Sequence, residues 1–238
     1  GVQLMWPLPK HIDGRAAFSA IPREMDVDGA FWLGDTHLAS QRGDHNSTPL
    51  PVHLMQPVTP AAVLELLAYY DIPIRDMRAV VVGRSRIVGQ PLAHSLGQAG
   101  ATVTIAHSST CVDDLKQALA CADLVVSCAG APGIIQADWL RDDATVISVG
   151  SALDKNDGMV ISDVDGLQES TNVGRFALSP GGVGPIAVLK LFENVLIAAR
   201  GAIQRTAARP IGATDETAKI DSKTLRDALK SPDLDGWG

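Results

Sequence analysis

Along the middle of the chain, short apolar runs alternate with segments of helical spacing. "AVVVG" (79–83) is followed by a helical pattern from Val88 to Gln98, then "ATVTIA" (101–106), a helix from Val112 to Ala120, "ADLVVSCAG" (122–130) and "ATVISVG" (144–150). Such alternation predicts right-handed βαβ units around a buried parallel sheet. Ahead of it, "TPAAVLELLAYY" places Val63, Leu66, Leu67 and Tyr70 at helical spacing, with Thr59 as cap and Pro60 in the first turn. Earlier still come an apolar strand (Val2 to Trp6), the turn "PLPKH", a short helix near Arg15 to Ala20, and the turn "DVDG" at 26–29. Residues 34–53 are polar and without period, so they predict a long loop.

"SPGGVGP" opens a last helix, Ile186 to Arg200, apolar enough to pack against two domains. The fold class expected is α/β: a Rossmann-like parallel-sheet domain with part of a second α/β domain and a cleft between them. The divisions expected are 1–54 for the partial first domain, 55–185 for the sheet domain, 186–200 for the returning helix, and 201–238 for a mobile extension with a short helix near Ser222 to Leu229. No internal repeat is expected.

Composition narrows the partners. The chain is 46% hydrophobic and 20% charged with a net charge of −7, which is ordinary soluble composition. It has no basic cluster, so neither nucleic acid nor an anionic membrane is the expected partner, and a small molecule is. No apolar run approaches the ~18 residues of a membrane span, and no leader pattern opens the chain. Cys111, Cys121 and Cys128 form no CxxC pair. They are expected to be reduced core thiols of a cytosol-like compartment rather than a metal site or disulfides. Gly1 runs directly into "VQLMW", an abrupt opening that leads us to expect further sequence upstream.

The candidate chemistry sits in "VVVGRSRIVGQP" (80–91). In parallel α/β sheets a glycine turn after a strand lets backbone approach a pyrophosphate, and the following helix offers unsatisfied N–H groups. Gly83 and Gly89 stand where that turn needs them, although Ser85 replaces the usual second glycine and Gly89 comes late. An NAD site would carry an acid at the end of the second strand, whereas this strand ends in "AHSS". Arg84 and Ser108 suit a 2′-phosphate instead, so NADP is the expected cofactor. An ordinary strand-to-helix turn would carry the same glycines, and the strand and helix context is what favours a cofactor.

"GVQLMWPLPKHID", "DVDG", "PVTPAAVLELL", "VVVGRSRIVGQP", "ATVTIAHSST", "ADLVVSCAG" and "PGGVGP" follow one another in the order, and with nearly the spacing, of one family. In these motifs the chain resembles the bifunctional methylenetetrahydrofolate dehydrogenase/cyclohydrolase family, from Gly1 to about Arg200. The resemblance implies two α/β domains, NADP on the Rossmann domain, a homodimer, a tetrahydrofolate derivative as substrate, and oxidation to methenyltetrahydrofolate followed by hydrolysis. It implies Gly83, Arg84, Ser85, Gly89 and Ser108 as cofactor contacts and Asp28 as the carboxylate that grips the pterin. By the same resemblance Pro7, Pro9, Gly181, Gly182 and Pro185 line the substrate cleft. A bare Asp-Gly turn is the alternative reading of Asp28.

The chain also departs from the family. The resemblance places the catalytic lysine and its tyrosine partner in an upstream segment, outside this sequence. Aligning "PLP" puts Met5 at the family's catalytic glutamine, and Gln3 could take that role only if the register slipped by two. Val58 stands where the family often has cysteine, Ser148, Ser151 and Ala152 interrupt a "DxGIN"-like stretch, and Ala187 replaces a threonine. Hydride transfer relies chiefly on positioning, whereas ring hydrolysis needs a proton moved and a water activated. Three readings stay open: an NADP-dependent dehydrogenase with doubtful cyclohydrolase activity, an NADP-binding partner without chemistry, and an enzyme for an altered pterin-like substrate.

Overall fold

The computed structural model describes residues 1–5, 8–9, 11–30, 55–153, 160–170 and 173–207. The chain divides into two compact units, one of residues 1–56 with 191–238 and one of residues 57–190.

The second unit is a five-stranded, wholly parallel sheet in the order β2-β1-β3-β5-β9. Its strands are β1 (Arg78–Val82), β2 (Thr102–Ala106), β3 (Leu124–Ser127), β5 (Thr145–Ser148) and β9 (Arg175–Ala177). Side chains on a strand point alternately to opposite faces. Here both faces are covered: Ala79, Val81, Leu124, Val126 and Ile147 enter one core cluster, and Val80, Val82, Val125 and Val146 enter another. That burial explains why β1, β3 and β5 read as unbroken apolar runs, while the edge strands β2 and β9 are largely exposed.

Helices supply the covering layers. α2 (Val58–Tyr69) buries Ala62, Val63 and Leu67 in the first cluster, and α3 (Gly89–Gln98) adds Leu92, Ala93 and Leu96 at helical spacing. On the other face α4 (Val112–Cys121) buries Leu115 and Leu119. Its first turn holds Asp113 and Asp114, where carboxylates favour the helix dipole. Two minor pairings complete the unit among the described residues. β4 (Ile135–Gln136) runs parallel to β8 (Val164–Asp165), and β6 (Ser151–Leu153) pairs antiparallel with β7 (Val160–Ser162).

In the first unit α1 (Gly14–Ser19) packs Ala17 and Phe18 inward. An isolated parallel bridge joins Val2 to Asp26. Asn194, itself buried, donates from Nδ2 to the carbonyls of Val27 and Gln56, 2.8 Å each. It lies on α5 (Val183–Ala207), the helix in which the division between the units falls. No helix among the described residues is long and apolar enough to cross a membrane.

The structure corrects several expectations. Only Val2 of the expected first strand pairs at all among the described residues, because its neighbour there is a single bridge and not a sheet. Thr59 lies inside α2, whose cap position is Pro57 without a side-chain bond, so no hydroxyl caps this helix. The last helix begins at Val183 rather than Ile186 and runs to Ala207. Cys111 and Cys121 are exposed, not core thiols; Cys111 Sγ accepts from Asp114 N at the start of α4. The expected loop at 34–53 lies wholly outside the described residues, as does the short helix expected near Ser222.

Candidate dinucleotide site

The strand order places β1 between β2 and β3: the chain leaves β1 for β2 on one side, then crosses back to β3 on the other. Where the order reverses, the carboxyl ends of two neighbouring strands diverge and leave a crevice, the usual seat of a dinucleotide. Here those ends are Gly83 after β1 and Cys128 after β3.

Glycine is required on the first lip. Gly83 has φ +130°, and a β-carbon there would stand 2.7 Å from the Cys128 carbonyl oxygen and 2.8 Å from its Sγ. A β-carbon on Gly89 would run into the carbonyl of Gly83, so the start of α3 packs on the end of β1 only because both side chains are absent. The late second glycine therefore closes the helix onto the strand. Burial, and secondly the charge of Asp163, push the Cys128 thiol up to about 12, which leaves it protonated and unfit as a nucleophile.

Ser85 explains the irregular punctuation. Its Oγ accepts from Val88 N at 3.2 Å and Gly89 N at 3.3 Å, and its carbonyl accepts from Gln90 N at 3.0 Å. The expectation of unsatisfied N–H groups at this helix start is thus corrected: a serine side chain already meets two of them, as a cap does. Gln90 Nε2 donates to the Arg84 carbonyl at 3.0 Å, tying the turn together, and Arg84 itself is exposed. Ser108 is exposed on the turn after β2, which is shaped by His107 N donating to Thr110 Oγ1 and Ser109 N donating to His107 Nδ1.

The other lip carries a group that the sequence reading missed. Asp163 is fully buried. Its Oδ2 accepts from Ser127 Oγ (2.7 Å), Ala129 N (2.8 Å) and Gly130 N (3.1 Å), and its Oδ1 from Ala131 N (2.8 Å). The available signal was a second "DVDG" at 163–166, identical to the tetrapeptide at 26–29. Nearby, Ser148 and Ser162 share a hydrogen bond of 2.8 Å, so the serine that interrupts the "DxGIN"-like stretch has a local partner.

In the first unit, Asp28 is half-buried. Desolvation, and secondly the charge of Asp26, raise its pKa from the ordinary value, while a bond from Gln3 Nε2 to Oδ1 at 3.4 Å opposes the rise. Gln3 therefore stands beside Asp28, and Met5 is exposed. Pro9 is exposed with its carbonyl accepting from Ile12 N, and Pro7 lies outside the described residues. Within the sheet unit, Gly181, Gly182 and Pro185 border a cavity of about 920 Å³ with Tyr69, Tyr70 and Phe176. None of Gly83, Arg84, Ser85, Gly89 and Ser108 lines it.

The parallel sheet, its switch point and the close-packed glycines define a Rossmann-like nucleotide-binding α/β protein. The model of the tetrahydrofolate dehydrogenase/cyclohydrolase NAD(P)-binding domain matches residues 57–203. The bifunctional protein FolD of Burkholderia mallei is 40% identical over 203 residues, 85% of this chain and 66% of the relative; that of Campylobacter concisus is 37% identical over 206 residues, 86% and 68%. Among solved structures, the Trypanosoma brucei N5,N10-methylenetetrahydrofolate dehydrogenase-cyclohydrolase, complexed with NADP cofactor and inhibitor, superposes with a TM-score of 0.72 at 34% identity, covering 84% of this chain and 66% of that one. The chain belongs to the tetrahydrofolate dehydrogenase/cyclohydrolase family. It spans just under two thirds of the length of the Burkholderia relative.

Proposed function

We infer that this chain carries the cofactor side, and the Asp28 part of the folate side, of an NADP-dependent methylenetetrahydrofolate dehydrogenase. The observation that carries this reading is the switch point between β1 and β3, where the absence of side chains at Gly83 and Gly89 lets the turn after β1 pack closely on the Cys128 carbonyl and on the start of α3. NADP, when bound, accepts the hydride. Arg84 and Ser108, both exposed, supply the donors for a 2′-phosphate at the end of a strand that lacks the acid an NAD site uses. Ser85, already occupied as an acceptor, keeps its own hydroxyl hydrogen to donate to a phosphate oxygen.

On the substrate side Asp28 accepts paired N–H groups of the pterin. Gln3, whose Nε2 lies 3.4 Å from Asp28 Oδ1, is a better candidate than the apolar Met5 for the polar partner on this segment, and it favours an enzyme over a partner subunit without chemistry. The cyclohydrolase step needs a group to move the proton, and none of the residues assigned in this chain does so. The reading extends to a homodimer in the cytoplasm, in keeping with the net charge of −7 and the three free thiols.

The test is cofactor choice. Arg84→Ala is expected to weaken NADP binding about ten- to hundredfold, with a change of less than about threefold for NAD, measured by titration calorimetry. Equal losses for both cofactors would remove the 2′-phosphate role. Absorbance at the reduced nicotinamide band with methylenetetrahydrofolate then tests the oxidation itself, and no turnover beyond background would overturn the dehydrogenase reading.

A further inference from the structure

The glycine turn after β1 is one lip of the crevice, and nothing in its own sequence fixes the other. That second lip is the turn 128–131, which continues β3 beyond the sheet. Its backbone N–H groups at 129, 130 and 131 are aimed at one buried carboxylate, joined by the hydroxyl of Ser127. Four donors on two oxygens satisfy Asp163 as an ion, and none of the four is a basic side chain. Consecutive N–H groups gathered on an anion form a backbone nest, and nests commonly cradle phosphates. Here the anion is internal, so these N–H groups are spent on shape.

The shape matters because of what rests on it. Cys128 is the first residue of the turn, its N–H donates to Val82 O at 2.8 Å, and its carbonyl is the atom against which Gly83 packs. On the far side, Gly150 leaves the space that Asp163 Oδ2 and the Gly130 N–H occupy, a space its own β-carbon would fill. The backbone of Gly150 is held in turn, its N–H donating to Ser127 O at 2.9 Å. A continuous run of contacts therefore leads from Gly150 through Asp163 and the turn to Gly83 and Gly89.

We propose that Asp163 is a positioning residue for the dinucleotide: its buried carboxylate folds residues 128–131 into the second lip of the crevice and thereby sets cofactor affinity. The proposal rests on the cofactor reading above. It assigns no chemical step to Asp163, which is fully buried and has its oxygens engaged by protein donors.

Asp163→Asn is the sharpest probe, since it keeps the shape and removes the charge. The new amide nitrogen has to face either the Ala131 N–H or the three donors that converge on the other oxygen, so at least one donor meets a donor. Ser127→Ala is the milder variant, removing one donor and leaving the carboxylate. Leu119→Ala is the control for general loss of stability: it empties a fully buried position on α4. Binding of NADP to the full chain is titrated at a temperature where circular dichroism shows each variant folded, and thermal midpoints are recorded beside it. The expected result is NADP weakened about ten- to hundredfold by Asp163→Asn and severalfold by Ser127→Ala, with Leu119→Ala lowering the midpoint but leaving affinity within about twofold. Wild-type affinity in both Asp163→Asn and Ser127→Ala would overturn the proposal while the cofactor reading stands. Equal weakening by Leu119→Ala would overturn it too, as a general effect of stability. Absence of NADP binding by the wild-type chain would overturn the cofactor reading and the proposal with it. Should Asp163→Asn fail to fold, Ser127→Ala against Leu119→Ala decides by the same criterion.

Discussion

The tetrapeptide Asp-Val-Asp-Gly occurs twice, at 26–29 and at 163–166, once in each unit of the molecule. Locally the two copies behave alike. In each the first aspartate is buried (Asp26 3%, Asp163 0%), the valine is buried, and the glycine takes a left-handed turn, φ 69° and 73°. In each a parallel pairing touches the segment, Val2 with Asp26 and Ile135 with Val164. They differ in the second aspartate: Asp28 is half-buried beside Gln3 and perturbed by Asp26, whereas Asp165 is exposed. The same four residues thus make one turn and two different uses of charge. The turn is a local property, and the site is made by what the rest of the chain brings to it.

The largest expected effect comes from breaking the second copy at its first aspartate. Asp163→Ala leaves three backbone N–H groups and the Ser127 hydroxyl without their acceptor in a buried place, at a cost of about 3 kcal/mol or more. Asp165→Ala, two residues on and exposed, should change stability by less than about 0.5 kcal/mol. Urea unfolding of both variants checks the contrast. Similar losses at the two positions would mean that the motif, and not the burial of its first carboxylate, carries the energy.

Next is the support of the first copy. The Val27 carbonyl accepts from Asn194, which also holds the Gln56 carbonyl. Asn194→Ala orphans both acceptors, and a loss of about 1–3 kcal/mol in unfolding free energy is expected. Limited proteolysis should show new cleavage in the first unit before the sheet unit. If the sheet unit is cleaved first, Asn194 does not hold the turn at 26–29.

The contrast also shows what could be read before any coordinates were known. The sheet unit was legible because its signals are local and redundant: β1, β3 and β5 are buried on both faces and so read as continuous apolar runs, and α3 and α4 carry a helical stripe. Strand β9, with the sequence Arg-Phe-Ala and mostly exposed, carries no such run and was not foreseen. Neither were β4 and β8, two residues each and held by a long-range pairing. For the site, the glycines of the first lip follow from a rule about backbone space. Asp163 does not, since its donors lie 32 to 36 residues earlier in the chain and only folding joins them. The local signal that points to it is the duplicated tetrapeptide Asp-Val-Asp-Gly, which is too short to register as an internal repeat.

The smallest effect is the most specific, and it concerns the second aspartate of the first copy. Burial and Asp26 raise the Asp28 pKa above its ordinary value of 3.8, with Gln3 opposing. Between 3.8 and that raised value the folded chain holds a proton the unfolded chain has released, so stability falls as pH rises through this window. Below 3.8 both states are protonated and the contribution of proton binding is fully present; above the raised pKa it has been lost. Asp28→Asn removes the titration. Its stability relative to wild type should therefore climb as the pH is taken upward from about 4, then level off, with urea midpoints as the measure. Gln3→Leu should steepen the wild-type decline, because it deletes a contact that favours the ionised carboxyl. Folate binding should move the other way: a pterin edge that donates to an ionised Asp28 is held less tightly as acid protonates it, and the raised pKa brings that loss on at a higher pH than an ordinary carboxylate would. A stability difference between Asp28→Asn and wild type that stays flat across the range would show that Asp28 is as solvated as Asp165, and that the first copy is only a turn.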